Sequence, residues 1–422
     1  MNYIKKILPN GLRIIFVPMH ENPTVTVFVL VEAGSKYENK KNNGISHFLE
    51  HMCFKGTTKR PTHKEISFEL DKLGCHYNAF TNQEYTGYFA KADNASFGKI
   101  LDIVSDIYLN PTFPEKEMEK EKGVIIEEIN MYKDLPQAIV SNEFIKLLYG
   151  DQPAGWFIAG LKENILKMKR SDFVDYCKKH YVAEATTVVV AGNVEEKMTF
   201  DLVKKSFAKI SSGKKEGKKK VSEIQSKPEV SIFFKDTDQT HIILGVRSLN
   251  MYDKNIPVAR LLSGILGRGL SSRLFMKMRE ELGICYYVNA GQDSSTDHGI
   301  FEVSAGVDTN RIEIAIKAIL TELALLKKEL VSEEELKKVK MMLIGNLKLS
   351  LESSDSIAEF YGFQEVFKEK IKKPEDIIKE INAVTAEEIK KLASEIFIDS
   401  KLNLSIVGKF KDKSAFEKIL KF

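Results

Sequence analysis

The chain has 422 residues, of which 43% are hydrophobic and 29% charged, with a formal net charge of +4. Those proportions are those of a soluble globular protein with enough length for two or more full cores. They exclude a disordered chain, and the lack of any run of about 20 apolar residues argues against a membrane-spanning helix.

The opening Met1 to Pro9 is too short for a signal peptide before Pro9-Asn10-Gly11 breaks it, and it carries no Arg-rich transit character. Val25-Thr26-Val27-Phe28-Val29-Leu30-Val31 is a β-branched run that predicts a buried strand. Gly44-Ile45-Ser46 then offers a helix start, with Ser46 or Asn43 as its cap, and Lys55-Gly56-Thr57-Thr58 ends that helix. Between them stands His47-Phe48-Leu49-Glu50-His51. Positions i, i+3 and i+4 share one helix face, so two imidazoles and a carboxylate come together. Two neutral imidazoles plus an oxygen ligand suit zinc. The spacing inverts the H-E-x-x-H pattern of zinc hydrolases. His47 and His51 are therefore expected to grip one ion, with Glu50 beside the open coordination position.

Tyr77 to Thr81 and Glu84 to Phe89 predict two strands around a turn. A long charged helix is expected from about Pro114 to Lys133. On it Glu121, Val124, Ile125 and Glu128 fall at i, i+3, i+4 and i+7, one stripe that is expected to face inward, while Glu127 turns about 100° away. A buried carboxylate is costly unless paired or bound to metal, so Glu128 is the expected third ligand and Glu121 its support. The competing reading is a solvated face with i,i+4 lysine pairs.

From Lys204 to Lys220 eight lysines stand against Glu216, with Ser211, Ser212, Gly213 and Gly217 among them. This density predicts a mobile, exposed linker. No aromatics are interleaved through the tract, which holds Phe207 alone, and this speaks against nucleic acid as a partner. Beyond it, an offset of 216 residues aligns Phe173, Tyr176, Cys177, His180 and Tyr181 with Ile389, Leu392, Ala393, Ile396 and Phe397. The same offset aligns Val188 to Gly192 with Leu404 to Gly408, and Val27-Phe28-Val29 with Ile243-Leu244-Gly245. Two halves of one α/β design follow, and only the first carries H-x-x-E-H. Met276 to Gly283 predicts a helix end closed by glycine, and Ile284 to Val288 the next strand. Cys53, Cys75, Cys177 and Cys285 lack C-x-x-C spacing and are expected to be reduced thiols in a cytoplasmic protein.

The string G-I-S-H-F-L-E-H-M-C-F-K-G-T from Gly44 to Thr57 resembles the pitrilysin (insulinase) superfamily of zinc metallopeptidases. Its look is nearest to the short bacterial members and the β-subunit of mitochondrial processing peptidase. Glu121 and Glu128 match the family's E-x6-E pattern at the family's distance from the second histidine. Asn10-Gly11-Leu12, Asn78-Ala79-Phe80-Thr81, Gly160 to Ile165 and the block from Ser271 to Tyr286 look like family blocks, so the resemblance covers nearly the whole chain. It implies an α/β (α+β) fold of two homologous lobes, each of two similar mixed-sheet and helix modules, closed like a clamshell around a chamber. The division expected is a metal-binding peptidase lobe over 1–210, a linker over 211–228, and a substrate-contacting lobe without metal over 229–422.

The resemblance also implies one Zn2+ per chain on His47, His51 and Glu128, with Glu50 as general base and Glu121 in support. Asn78, Ala79 and Phe80 would lie on an edge strand that pairs with an extended peptide. Arg279 and Tyr286, seven residues apart, would reach the substrate across the chamber. The activity implied is a metalloendopeptidase acting on unfolded peptides or presequence-like segments, working as a homodimer or monomer unless a partner subunit is required. The alternatives are a catalytically inactive assembly subunit of the same fold, and a protein that binds metal or peptide without turnover.

Overall fold

A computed structural model describes residues 2–367 and 370–422; Met1, Lys368 and Glu369 lie outside the described residues. The chain forms two units: Met1–Ile129 with Trp156–Lys219 and Lys348–Pro374, and Asn130–Gly155 with Lys220–Leu347 and Glu375–Phe422. They differ from the contiguous lobes expected over 1–210 and 229–422 in the placement of the segments beginning at Asn130 and at Lys348.

The first unit holds β1 (Ile4–Ile7), β2 (Arg13–Pro18), β3 (Thr24–Val31), β4 (His76–Thr81), β5 (Thr86–Asp93) and β6 (Thr186–Gly192). Their order is β1-β2-β6-β3-β5-β4, with β2 and β6 parallel and the other pairs antiparallel. The β3 run is apolar at every other position and at most of those between because both faces are covered. Val25, Val27, Val29 and Val31 join the core that contains Ile45, Phe48, Leu49 and Met52. Phe28 and Leu30 face the other way, onto Ile357, Ala358 and Tyr361 of the helix Ser354–Phe367.

The second unit holds β7 (Glu229–Phe234), β8 (Gln239–Arg247), β9 (Cys285–Ser294), β10 (Gly299–Asp308) and β11 (Asn403–Gly408). The order β7-β11-β8-β10-β9 repeats that of the first unit without its β1. Ile243 and Val407 meet Ile139, Val140 and Phe144 of the helix Pro136–Tyr149. Each sheet is thus closed on one face by a helix from the other half of the sequence. Covering that face removes several large apolar side chains from water, each worth about 1.5–3 kcal/mol.

The two homologous lobes of mixed sheet and helix are present, but among the described residues each has a single sheet rather than two modules. The 216-residue repeat explains this, since it spans a whole lobe. The helices Arg170–His180 and Ala386–Ile396 and the strands β6 and β11 keep that offset. The alignment of Val27 with Ile243 is one residue out. Val27 pairs with Val190 and Ile242 pairs with Ile406, so Val27 corresponds to Ile242. A one-residue slip exchanges the two faces of a strand, and a run apolar on both faces hides the slip.

Of the lysine-rich stretch, Lys204 to Ser206 end the helix Glu196–Ser206, and Phe207 and Ile210 are buried. From Ser212 on the segment is mostly exposed and without regular secondary structure, but it is tied down rather than loose. Ala183 donates its backbone N–H to the Ser211 carbonyl at 2.8 Å. Lys215 Nζ lies 2.8 Å from Glu32 Oε2, and Lys218 Nζ lies 3.0 Å from Glu84 Oε1. Farther on, Val221 donates its N–H to Asp297 Oδ2 at 3.1 Å, and Gln225 Nε2 donates to the Leu402 carbonyl at 3.1 Å. Composition alone misreads the segment because its lysines meet buried carboxylates that are distant in sequence.

Candidate active site

The motif helix is Ile45–Cys53. Ile45, Phe48, Leu49, Met52 and Cys53 are buried, which leaves His47, Glu50 and His51 on the half-exposed side. Neither expected residue caps it. The N-cap is Gly44, at φ +102°, with no side-chain bond of its own. A Cβ there would stand 2.8 Å from the Ala159 carbonyl oxygen, so glycine is needed both for conformation and for space. The capping carboxylate is Glu38, which no spacing or motif singles out. It accepts from Gly44 N and Ser46 N at 2.8 Å each and from Asn43 Nδ2 at 3.0 Å. Burial pushes the pKa of Glu38 up, although these hydrogen bonds oppose the rise. Ser46 spends its hydroxyl on Tyr176, at 2.7 Å.

The second helix is Glu115–Asp134. Its buried side is Met118, Glu121, Lys122, Ile125 and Ile129. Val124 is 51% exposed, so the inward stripe is rotated away from it. Glu127 is exposed and Glu128 half-buried.

These two helices bring the motif and the carboxylates together. His47 Nε2 lies 3.5 Å from Glu128 Oε1, and His51 Nε2 lies 3.6 Å from Glu128 Oε2. Among the described residues this is the one set of three such groups with ligand atoms all within 4.8 Å of one another. Tetrahedral zinc with bonds of about 2.0–2.1 Å holds its ligand atoms about 3.4 Å apart, so the donor set fits such an ion in type and in spacing. Behind it, His51 Nδ1 is 2.9 Å from Glu121 Oε1, and Glu121 Oε2 is 2.6 Å from Lys55 Nζ. That contact fixes the His51 ring, as a carboxylate commonly does for a ligating imidazole. His47 Nδ1 is buried without a hydrogen-bond partner among the described residues.

The charges sort by surroundings. Burial opposes the charge on Glu121, but His51 and Lys55 outweigh it and lower its pKa. Burial raises the pKa of Glu50, against the pull of a hydrogen bond from Thr81 and of both histidines. His47 is disfavoured as a cation by burial, yet Glu128, Glu50 and Glu38 together raise its pKa. Thr81 Oγ1 donates to Glu50 Oε2 at 2.6 Å. Neither Lys55 nor Thr81 is marked by spacing, because each meets its partner only through tertiary packing.

The expected hairpin is β4 and β5, and β4 is an edge strand of its sheet. Asn78 on it is exposed, Ala79 buried and Phe80 half-buried. In the second unit the expected glycine-closed helix end is a short π-helical segment, Phe275–Glu281, followed by Gly283 at φ +58°. Arg279 Nη1 donates to the Cys285 carbonyl at 2.9 Å, and the guanidinium lies 5.6 Å from the Tyr286 ring centroid. Both side chains are exposed, Tyr286 by 70%.

The model of the insulinase family of peptidases, M16, matches residues 13–160, and that of the M16 inactive domain matches 167–343. The chain is 35% identical to the uncharacterized zinc protease YmxG of Bacillus subtilis, over 92% of this chain and 94% of that protein. An uncharacterized zinc protease of Rickettsia felis is 34% identical over the same shares. A crystal structure of a protease from Helicobacter pylori superposes with a TM-score of 0.91 at 24% identity, covering 96% of this chain and 99% of that one.

Proposed function

Because this chain belongs to the insulinase family of peptidases, M16, we propose that it is a zinc-dependent metalloendopeptidase. The observation that carries the reading is the convergence of His47, His51 and Glu128 within 4.8 Å, with Glu50 on the same helix face. These three residues would hold one zinc ion. Bound there, zinc would supply Lewis acidity, polarising the scissile carbonyl and making water acidic enough to attack near neutral pH.

Glu50 takes the proton of the attacking water and passes it to the leaving amine. Its place on the ligand-bearing face of the motif helix, with one oxygen held by Thr81, suits it to both steps. Glu121 and Lys55 keep the His51 ring in place. The peptide extends along β4 at Asn78, Ala79 and Phe80, where main-chain pairing supplies affinity with little demand on sequence. Arg279 and Tyr286 serve the substrate, the guanidinium on a peptide carbonyl and the phenol toward the developing oxyanion. Substrates are unfolded peptides or presequence-like segments, since only an extended chain can add to a strand.

We place the enzyme in the cytoplasm on its four free cysteines. Among the described residues no helix is long and apolar enough to cross a membrane. The complete donor set favours turnover over the inactive-subunit reading. Metal analysis together with a fluorogenic peptide assay tests the proposal. Bound zinc with cleavage that a chelator abolishes is the expected result; bound zinc without cleavage of any peptide would turn the reading to the inactive subunit.

A further inference from the structure

We propose that Thr81 is the positioning residue for Glu50, so that the edge strand β4 both receives the peptide and aims the base. This rests on the reading of Glu50 as general base. Thr81 is the last residue of β4, and its hydroxyl donates to Glu50 Oε2 at 2.6 Å. A glutamate side chain has three rotatable bonds, and a carboxylate without a partner samples several rotamers. A neutral donor fixes one oxygen without discharging the group and leaves the other oxygen for a proton in transfer.

The threonine has little freedom to follow the glutamate. Thr81 pairs with Thr86 across the hairpin, and Thr86 donates its hydroxyl to the Ala33 carbonyl at 2.9 Å. The turn beyond is fastened to the segment before the motif helix. Lys36 N donates to the Gln83 carbonyl at 2.8 Å, Ser35 N to the Asn82 carbonyl at 3.2 Å, and Lys36 Nζ lies 2.8 Å from Glu84 Oε1. A Cβ on Gly34 would run into the Asn82 carbonyl, so that approach is as close as the backbone permits. On the other side, Phe80 packs against Phe28 and Phe363 at centroid distances of 5.9 and 6.1 Å. The hairpin is held by backbone, ion pair and aromatic contacts at once. The carboxylate therefore takes its direction from the strand.

The test compares Thr81→Val, Thr81→Ser and Glu50→Gln by zinc content, kcat and KM on one fluorogenic peptide. Thr81→Val, which keeps the β-branched shape, is expected to retain zinc and to lose about 10–100-fold in kcat, as the loss of an orienting partner commonly does, with KM within about two-fold of the parent. Thr81→Ser, which keeps the hydroxyl, is expected to recover most of the loss. Unchanged kcat in Thr81→Val, or equal losses in Thr81→Val and Thr81→Ser, would overturn the assignment, as would a rise in KM alone or the loss of zinc. If Thr81→Val is fully active while Glu50→Gln is dead, the positioning role alone is refuted. Turnover by Glu50→Gln would remove the general-base reading and this inference with it.

Discussion

The two lobes share a strand order and a 216-residue repeat, yet they fill the same place in opposite ways. After β3 the first lobe sets a short helix with His47, Glu50 and His51 on its open side. After β8 the second lobe sets the helix Ile256–Gly267, in which Leu261, Leu262, Ile265 and Leu266 are all buried. The neighbouring long helices differ in the same sense. Glu115–Asp134 buries Glu121 among Met118, Ile125 and Ile129, whereas Glu333–Leu349 buries Val339 and Leu343. A buried carboxylate is stable in the first lobe because His51 and Lys55 both meet it. The corresponding helix of the second lobe keeps its paired carboxylate, Glu335, half-buried near its start against Arg273 at 2.7 Å, and packs apolar side chains where the first lobe has Glu121. One scaffold thus serves as a donor set in one copy and as plain core in the other. A buried carboxylate persists where cationic or hydrogen-bonding partners meet it, and otherwise hydrophobic packing is the stable filling.

The sharpest way to break this contrast is at Glu50. Glu50→Gln is expected to keep zinc and to lose about 10²–10⁴-fold in turnover, the usual contribution of a general base. Glu128→Gln is expected to lose both zinc and turnover. Retained cleavage in either variant, measured on protein free of the parent enzyme, would dissolve the distinction between a chemical lobe and a structural one.

The second lobe should fail through stability instead. Phe144 is fully buried on the helix that closes its sheet, and Phe144→Ala should destabilise the protein by about 3–5 kcal/mol. Denaturant melts followed by intrinsic fluorescence would record it. A change below about 1 kcal/mol would mean that the sheet does not depend on this helix.

Arg279 and Tyr286 decide whether the second lobe is structural only. Tyr286→Phe and Arg279→Ala should lower kcat/KM by about 10²-fold with zinc content unchanged, as expected for a lost oxyanion donor. If both variants match the parent in kinetics, the second lobe has no part in the chemistry.

The smallest effects should come from the carboxylates around the donor set. Glu121→Gln should cost about 10–100-fold in activity with a lesser loss of zinc, because it removes a partner of His51 rather than a ligand. Glu127→Gln should leave zinc binding unchanged, since that side chain is exposed and is not part of the donor set. Zinc titration of the two variants, with Glu128→Gln as reference, separates the three carboxylates. Zinc loss confined to the Glu127 variant would mean that the helix register is wrong.

Much of the site was legible in the chain because its chemistry is local. Helical spacing alone puts His47, Glu50 and His51 on one face, and Glu121 and Glu128 on one long helix with Glu127 turned away. Alternation and turn residues locate the β4 hairpin, and the repeat announces two similar lobes. The repeat was nonetheless misregistered by one residue at β8, because a strand buried on both faces carries no period-two signal.

What tertiary structure decided lies between residues far apart in sequence. Glu38 rather than Ser46 caps the motif helix, since the Ser46 hydroxyl is taken by Tyr176. Thr81 reaches Glu50 only because the hairpin docks on the segment before the motif helix. The helices Pro136–Tyr149 and Ser354–Phe367 look like ordinary amphipathic segments, and nothing in their periodicity says which sheet each will cover. Periodicity encodes which face of an element is apolar. Which surface that face meets depends on chain topology and on the shape of cores that exist only once the chain has folded.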